Sequence, residues 1–167
     1  MVSGRLRIEE VGDESLDPAL YLLRRFFSEQ GFHTSAGEMR SSLQRMIVSP
    51  DNAVFLARRG TKALGVATVT TSVGLEYGLS TELEDLYVLP EARGGGVASA
   101  LIEKVCSWCQ ERGCTTLLVT VIPEGEATHN LIDFYGRLGF ANTGRVILER
   151  ALRPGAERPS PEEGRNL

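Results

Sequence analysis

The chain lacks three features that would place it in a membrane, on nucleic acid or outside the cell. No apolar run among its 167 residues approaches the roughly 18 that a spanning helix requires, so we expect no membrane partner. Lys and Arg (18) are outnumbered by Asp and Glu (22), and the formal net charge of −4 argues against nucleic acid as the main partner. The N-terminus has no apolar h-region of a secretory signal, which predicts a cytoplasmic protein.

Cysteine and histidine are also scarce, with three and two residues respectively. An odd number of cysteines in a reducing compartment predicts free thiols and no disulfide framework. Cys106 and Cys109 form a C-x-x-C pair, but it lies inside a helical pattern rather than at a helix N-terminus, where a redox thiol would be activated. Joined by His129 they could bind zinc, yet no second paired motif completes four ligands, so we expect no metal site.

The remaining composition is that of an ordinary globular protein. Hydrophobic residues make up 42% of the chain and charged residues 24%, and the length suits a single domain. Beyond residue 152 the chain is rich in Pro, Gly and charged residues and has little to bury. We therefore predict one domain at residues 1–152 and a disordered tail at residues 153–167.

Apolar alternation and helical spacing predict the element order β, α, α, β, β, β, α, β, α, β. The predicted strands span residues 5–11, 53–57, 63–70, 83–89, 115–122 and 145–150. The predicted helices begin at Asp17, at the capping box Ser35-Ala36-Gly37-Glu38, at Val97 and, after a turn at 123–126, at residue 127, the last of them ending at 138. We expect a loop at residues 71–80, and Gly65 inside a strand predicts a bulge or a close approach of backbones.

The central strand leads through Pro90 into a loop with three consecutive glycines and then into a helix. Residues 94–96 carry no Cβ, so the chain can bend sharply and an anion can approach its N–H groups closely. The first turn of the helix leaves N–H groups without partners and carries partial positive charge, and Arg93 adds a cation. A phosphate is the expected occupant.

The loop alone leaves several identities open. A Walker loop would continue with Gly-Lys-Ser/Thr, which does not follow Gly96. A dinucleotide fingerprint is half met by Gly94 and Gly96, with Ser99 where the third glycine belongs. A connection that binds nothing is equally compatible with three glycines.

Two blocks of the sequence resemble a known family. Arg93-Gly94-Gly95-Gly96-Val97-Ala98 matches the Gln/Arg-x-x-Gly-x-Gly/Ala signature of the GNAT superfamily of acyl-CoA N-acyltransferases, and a second block resembles the family's Phe-Tyr-x-x-x-Gly-Phe pattern, Phe134-Tyr135-Gly136-Arg137-Leu138-Gly139-Phe140. The resemblance covers about residues 4–152. It implies an α/β fold whose central mixed β-sheet is flanked by helices and opens in a V-shaped split between the fourth and fifth strands.

The same resemblance implies acetyl-CoA as co-substrate. Its diphosphate would bind the glycine loop, at Arg93, Gly94, Gly95, Gly96, Val97, Ala98 and Ser99. Its pantetheine arm would lie along the main chain of the central strand, at Leu86, Tyr87 and Val88. Many relatives carry an asparagine seven residues before the tyrosine of the second block, whereas this chain has Thr128 there and Asn130 two residues on, and either could bond the pantetheine.

N-acetyl transfer also needs a base and an acid. An amine is mostly protonated at neutral pH, so a carboxylate must take a proton before attack. Strict alternation along the strand puts Glu82 and Glu84 on one face and Asp85 on the other. The resemblance favours Glu82 as the base, although Glu82 and Glu84 could instead bind a cationic substrate. Tyr135 holds the family's tyrosine position and is implied to protonate the leaving thiolate.

The resemblance therefore implies an N-acetyltransferase acting on a primary amine, and the two glutamates favour a small cationic polyamine such as an aminoglycoside. Two alternatives stay open: an acetyltransferase of peptide N-termini or lysines, and a non-catalytic module that binds acyl-CoA. The sequence leaves the oligomeric state open, and because relatives are often dimers, a homodimer is one candidate.

Overall fold

The computed structural model describes residues 4–150 and 152. This part of the chain contains five strands and five α-helices. In chain order they are β1 Leu6–Glu10, α1 Leu16–Glu29, α2 Ala36–Val48, β2 Asn52–Arg59, β3 Lys62–Gly74, β4 Gly78–Val88, α3 Val97–Glu111, β5 Thr116–Val119, α4 Pro123–His129 and α5 Leu131–Arg137. Short 3-10 turns lie at Asp13–Ser15 and Pro90–Ala92.

The chain divides into two compact units, Met1–Glu124 and Gly125–Leu167. The first unit holds the five strands and α1 to α3, and the second holds most of α4 and all of α5. The predicted single domain at residues 1–152 stays a prediction. The predicted tail at residues 153–167 lies outside the described residues.

The five strands form one mixed sheet in the order β1-β2-β3-β4-β5. Neighbours are antiparallel except for β4 and β5, which run parallel. β5 is four residues long, shorter than the predicted 115–122, and it pairs only with residues 80–83 of β4. Residues 85–88 of β4 pair with β3 alone. The predicted mixed sheet is confirmed, and its split begins where the pairing of β4 with β5 ends.

Successive side chains of a strand point to opposite faces of the sheet, and helices pack against the apolar side chains on both faces. On one face a core is shared with α1 and α2, and its strand residues are Val54, Leu56, Val66, Tyr87 and Leu89. On the other face Phe55 lies edge-on to Trp108 of α3, with ring centroids 6.2 Å apart. Because each face of the sheet buries its own apolar side chains, the pairing register of the strands is specified. A slip by one residue would move the side chains of each face to the other face.

The two N-terminal helices begin close to the predicted positions. Ser35 is the N-cap of α2: its hydroxyl accepts from the Glu38 N–H at 3.2 Å, and the Glu38 carboxylate accepts from the Ser35 N–H at 3.1 Å. This confirms the predicted capping box, which gives partners to two N–H groups that the helix leaves open. The prediction of Asp17 as the N-cap of α1 and Pro18 as its first residue is wrong: Ser15 is the N-cap and α1 begins at Leu16, because a 3-10 turn leads directly into the helix.

The hairpin of β3 and β4 differs from the prediction. The sequence predicts a loop at residues 71–80, but both strands extend into it and leave only residues 75–77 between them. Thr71 and Thr81 are cross-strand partners whose hydroxyls lie 3.2 Å apart. β-Branched residues favour an extended chain, and Gly78, with φ +67, completes the tight turn.

The predicted hairpin of β2 and β3 is confirmed, with a register shift between Ala57 and Arg58. Gly65 lies opposite the shift, and a Cβ added there would meet the carbonyl oxygen of Tyr87 at 2.9 Å. Both predicted reasons for a glycine at this position, a bulge and a close approach of backbones, are therefore confirmed.

The second unit departs furthest from the prediction. The helix expected at residues 127–138 is two helices, broken at Asn130, a non-glycine residue with φ +49. The turn expected at residues 123–126 is already part of α4. The strand expected at residues 145–150 is wrong, since residues 141–150 have no regular structure and are exposed. A strand needs a partner for its main-chain groups, and this unit's described residues contain no other strand.

Candidate functional site

The half of β4 that leaves β5 has main-chain groups along an open edge. The N–H of Leu89 donates to the carbonyl oxygen of Leu64 on the β3 side at 2.9 Å. Hydrogen-bonding direction alternates along an antiparallel strand, so Tyr87 also faces β3, whereas Leu86 and Val88 face away from it. No residue of β5 pairs with these two. This edge can therefore accept an added extended chain.

The direction of these main-chain groups excludes one of the three residues predicted to bond the pantetheine arm. The main chain of Tyr87 is directed at β3, so of the three predicted residues only Leu86 and Val88 can pair with an added chain. The carbonyl oxygen of Val88 already accepts from Nε of Arg93 at 3.0 Å. The groups left for a ligand are the N–H and C=O of Leu86 and the N–H of Val88.

A β-bulge lies where β4 leaves β5. Thr68 of β3 pairs with Asp85, but the next residue of β3 pairs with Leu83, so Glu84 is an additional residue outside the register. The added residue reverses the alternation of side chains, and Asp85 shares a face with Glu82 instead of opposing it. The predicted separation of Asp85 from the glutamates is therefore wrong, because alternation fails across the bulge.

Each of the three carboxylates at the bulge is bonded by a threonine hydroxyl. The pairs are Thr120 with Glu82, Thr70 with Glu84 and Thr68 with Asp85. The oxygen atoms lie 3.0 Å apart in the Glu82 pair and 2.5 Å apart in the Asp85 pair. Glu84 is exposed and the other two carboxylates are half-buried. The bulge thus concentrates acidic groups at the start of the open edge.

The surroundings of Asp85 shift the pKa of its carboxyl group. Burial raises the pKa of Asp85 above its ordinary value, the hydrogen bond with Thr68 offsets part of that rise, and the charge of Glu84 adds to it. The carboxyl of Asp85 therefore keeps its proton to a higher pH than a solvated aspartate does, although its Oδ2 accepts a hydrogen bond from the hydroxyl of Thr68.

The glycine loop presents main-chain N–H groups to solvent. Gly94 and Gly96 have φ +74 and +78, in the left-handed region that a side chain disfavours. Gly96 is the N-cap of α3 and has no side chain to bond the first turn, so the next N–H groups stay open. No acidic residue lies in that turn to offset the positive end of the helix dipole. The loop can therefore bind an anion such as a phosphate.

Comparison with known proteins identifies the family. Residues 18–140 match the sequence profile of the Acetyltransferase (GNAT) family. The chain belongs to this family. Over 122 residues it is 29% identical to the aminoglycoside N(6')-acetyltransferase type 1 of Serratia marcescens, which covers 70% of this chain and 81% of that enzyme. Over 62 residues it is 37% identical to the thialysine N-epsilon-acetyltransferase of Bos taurus, which covers 37% of this chain and 35% of that enzyme.

A solved structure shares the fold of this acetyltransferase. The aminoglycoside N-acetyltransferase AAC(6')-Iy, in complex with CoA, matches with a TM-score of 0.78 at 22% identity, over 90% of this chain and 97% of that chain. Family membership makes the protein an enzyme that transfers an acetyl group from acetyl-CoA to a nitrogen. The uncapped glycine loop and the open edge of β4 both suit this co-substrate.

The loop residues take different parts in this arrangement. The side chain of Val97 is buried in the core, so only its main-chain N–H is open to a ligand. The guanidinium of Arg93, predicted to face the phosphate, bonds the carbonyl of Val88 and lies 3.4 Å from Oε2 of Glu29. Glu29, in contact with this loop residue, was not singled out by sequence reasoning. No sequence pattern links it to a loop residue 64 positions away.

Tyr135 belongs to the second unit. Its ring packs edge-on against Phe134 and Phe140, with centroids 5.2 Å away in both cases. Burial raises the pKa of Tyr135 to about 12, so its hydroxyl is protonated at neutral pH. The predicted role of Tyr135 as the acid stays a prediction.

Thr128 and Asn130 lie at the break between α4 and α5. Nδ2 of Asn130 donates to Oδ2 of Asp133 at 2.7 Å, and the N–H of Ile132 donates to Oε2 of Glu126 at 2.7 Å. The second of these bonds gives a partner to one N–H group that the start of α5 leaves open. Which of Thr128 and Asn130 bonds the pantetheine stays a prediction.

Among the described residues, no group of three or more His, Cys, Asp or Glu side chains could hold a metal ion. Nor does any helix in residues 4–150 have the length and apolar character that crossing a bilayer demands. The three cysteines are free thiols, and burial raises the pKa of Cys106 and Cys109, which disfavours the reactive thiolate.

Proposed function

We propose that this acetyltransferase modifies an aminoglycoside and that a 6′-amino group is the acceptor. The observation that carries the proposal is the group of three carboxylates, Glu82, Glu84 and Asp85, at the bulge beside the open edge. A polyamino sugar is a polycation at neutral pH, and clustered carboxylates attract it. Similarity over 122 residues to an enzyme named for this acceptor supports the same substrate class.

The loop and the edge together orient acetyl-CoA. The diphosphate accepts from the open N–H groups of residues 94–99, at the end of β4. The pantetheine arm extends from there along β4 like an added strand and bonds the edge groups of Leu86 and Val88. Because the arm runs from the end of β4 towards its start, the thioester arrives beside the bulge, where Glu84 lies.

Glu84 is better placed than Glu82 to act as the base. Glu84 is exposed and stands at the bulge, where the edge begins. Glu82 lies in the half of β4 that pairs with β5, and its Oε1 accepts from Thr120. Although the family resemblance favours Glu82, this geometry favours Glu84 for proton removal and Glu82 for binding a second ammonium group of the substrate.

The reaction moves three protons and exchanges one bond. The carboxylate takes a proton from the acceptor ammonium, directly or through water, and the freed nitrogen attacks the thioester carbonyl. As the C–N bond forms, the nitrogen loses a second proton to water, and as the C–S bond breaks, the departing thiolate takes a proton. We assign that proton to Tyr135 on the resemblance of its sequence block. The raised pKa of Tyr135, about 12, keeps the hydroxyl in the protonated form that an acid requires.

The acceptor is tested with a matched pair of aminoglycosides. Neamine carries a 6′-amino group, and paromamine carries a hydroxyl at the same position. The purified full chain is given acetyl-CoA with each compound, and thiol release and product mass are followed. We expect rapid thiol release and one added acetyl group with neamine, and at least about 100-fold slower release with paromamine. Equal rates with both, or no release with either, would refute the proposed acceptor.

A lysine-like amine is the second candidate, because of the similarity over 62 residues to a thialysine N-epsilon-acetyltransferase. The predicted alternative of a peptide or lysine acetyltransferase belongs to the same test. Thialysine and a lysine-containing peptide are added to the assay, and a higher kcat/KM for either than for neamine would favour this candidate. The alternative of a non-catalytic acyl-CoA module is set aside by the family assignment.

The homodimer and the cytoplasmic location stay predictions. Acetyl-CoA is made and used inside cells, which agrees with a cytoplasmic site of action. Sedimentation of the full chain with and without CoA measures the oligomeric state directly.

A further inference from the structure

Glu29, the last residue of α1, lies at the centre of a small charged cluster. The hydroxyl of Tyr87 donates to its Oε1 at 2.5 Å. Nη2 of Arg93 lies 3.4 Å from its Oε2, and Nη2 of Arg25 lies 3.7 Å from Oε1. One carboxylate therefore joins the end of α1, the strand β4 and the residue that precedes the glycine loop.

The Tyr87 side of the cluster is firmly held. Tyr87 is only 3% exposed, and its ring packs against Phe26 of α1 with centroids 5.6 Å apart. Burial and the bond to Glu29 raise the pKa of Tyr87 to about 12, so its hydroxyl remains a donor at neutral pH. The guanidinium carbon of Arg93 lies 5.8 Å from the centre of the same ring, at cation–π distance.

Arg93, which Glu29 and Tyr87 hold in place, adjoins both parts of the enzyme that suit acetyl-CoA: the open edge of β4 and the glycine loop. Its Nε caps the carbonyl of Val88, the last edge group of β4, at 3.0 Å. Its main chain continues directly into Gly94, the first residue of the loop. Glycines have more conformational freedom to lose than other residues, so a fixed residue before them lowers the entropy lost when the loop orders around a ligand.

We propose that Glu29 is a positioning residue for acetyl-CoA. Glu29 holds Arg93 on the carbonyl of Val88. This contact fixes where the pantetheine arm stops pairing with β4 and where the glycine loop begins. The inference rests on the proposed function, in which this loop and this edge bind acetyl-CoA. Glu29 acts through Arg93 and does not itself contact the reacting atoms.

If Glu29 competed with the ligand for Arg93 instead of positioning it, removing Glu29 would change CoA affinity in the opposite direction. If Glu29 competed with the diphosphate for Arg93, its removal would free a cation and tighten CoA binding. If Glu29 positions Arg93, its removal weakens CoA binding and leaves the acceptor side unchanged. The side chains of Glu29 and Arg93 are 36% and 41% exposed, so screening by solvent limits the expected effect.

The test measures CoA affinity in the full chain by calorimetry, with the steady-state constants for acetyl-CoA and the amine. Glu29→Gln keeps the shape of the side chain and removes its charge. We expect CoA to bind about tenfold more weakly and the KM for acetyl-CoA to rise in parallel. The kcat at saturating acetyl-CoA and the KM for the amine should stay within about twofold. Asp17 lies on the same helix as Glu29 and forms an ion pair with Arg40 of α2; Asp17→Asn breaks that pair, is the matched control and should change none of these.

A double variant separates positioning from general damage. If Glu29 acts through Arg93, then Glu29→Gln combined with Arg93→Gln binds CoA no more weakly than Arg93→Gln alone. Additive losses, an unchanged affinity or a tighter affinity in Glu29→Gln would each overturn the inference. Should Glu29→Gln fail to fold in a thermal melt, Tyr87→Phe removes one bond to the carboxylate. It should weaken CoA binding about threefold, and an unchanged affinity would overturn the inference.

A variant of the loop itself distinguishes failure of this inference from failure of the proposed function. If Gly96→Val weakens CoA binding but Glu29→Gln does not, the loop binds acetyl-CoA and only the role of Glu29 is wrong. If neither variant changes CoA affinity, the loop is not the binding site and both proposals fail.

Discussion

The two halves of β4 have opposite surroundings although they belong to one strand. Residues 78–83 lie between β3 and β5, with main-chain partners on both sides from Ser80 onward. Residues 84–88 keep β3 on one side and have no partner in β5 on the other. In the proposed function, the first half is scaffold and the second half binds acetyl-CoA. The comparison shows how an enzyme can leave main-chain groups open for a ligand without weakening the strand that carries them.

Two local features produce this difference. β5 ends at Val119, so no residue of β5 pairs with β4 beyond Leu83. At the same point Glu84 enters as an additional residue, which bends the strand and increases its twist. The bulge thus turns β4 away from β5 where the acidic side chains are needed.

The largest expected effect is on kcat, and it should distinguish Glu84 on the open half of β4 from Glu82 on the paired half. Glu84→Gln removes the proposed base from the open half, and kcat should fall by about 10²- to 10⁴-fold while CoA affinity is kept. Glu82→Gln changes the paired half and should mainly raise the KM for the amine. Steady-state kinetics with neamine and calorimetry with CoA measure both. A large fall in kcat for Glu82→Gln and a small one for Glu84→Gln would reverse the assignment.

The next effect concerns stability. Leu83 is 2% exposed on the paired half, and Leu83→Ala should lower the free energy of unfolding by about 2–5 kcal/mol. Leu86 is half-buried on the open half, and Leu86→Ala should cost about 1 kcal/mol. Urea denaturation of both variants makes the comparison. Equal losses would mean that the open half contributes to the scaffold as much as the paired half does.

A smaller effect tests the loop that follows the open half. Gly96 has φ +78, where a β-branched side chain is strained by about 1–2 kcal/mol, so Gly96→Val should weaken CoA binding about tenfold. Gly37 in α2 is the matched control, since an added Cβ there meets no atom within 4 Å. Gly37→Ala should leave CoA affinity unchanged. Equal affinities for both variants, measured by calorimetry, would contradict the account of the loop.

The smallest effect is a pH dependence from Asp85. Because burial raises its folded-state pKa, the folded protein holds this proton more tightly than the unfolded chain does. Stability from this group is therefore lost as pH rises from the unfolded pKa of about 3.9 through the raised folded value. Asp85→Asn has no such loss, so its stability relative to wild type should increase as pH rises across this window. Denaturation at pH 4 and pH 7 tests this, and a pH-independent difference would count against a raised pKa.

Much of the scaffold was predictable because its signals are local. The capping box of Ser35 and Glu38, the close approach at Gly65 and the turn at residues 94–96 each depend on a few neighbouring residues. The mixed sheet was implied by the resemblance to the GNAT family. The loop predicted at residues 71–80 was wrong because its two glycines bracket a tight turn, and the threonines and serines around it pair across the strands.

The site was less predictable because its key features depend on the partner strand. Strict alternation places Asp85 opposite Glu82, and only the register against Thr68 reveals the bulge that brings the two together. Glu29 meets Arg93 only in the folded chain, since the two are 64 positions apart. The strand predicted at residues 145–150 shows the converse: its alternating pattern is local, but these residues have no regular structure and are exposed.

The central claim is that acetyl-CoA lies on the open half of β4 and on the glycine loop. Amide hydrogen exchange of the full chain, followed by NMR with and without CoA, tests it residue by residue. The account predicts that CoA slows exchange at Leu86, Val88 and residues 94–99, and that Tyr87, already directed at β3, changes little. Protection confined to other parts of the chain, with these amides unchanged, would contradict it.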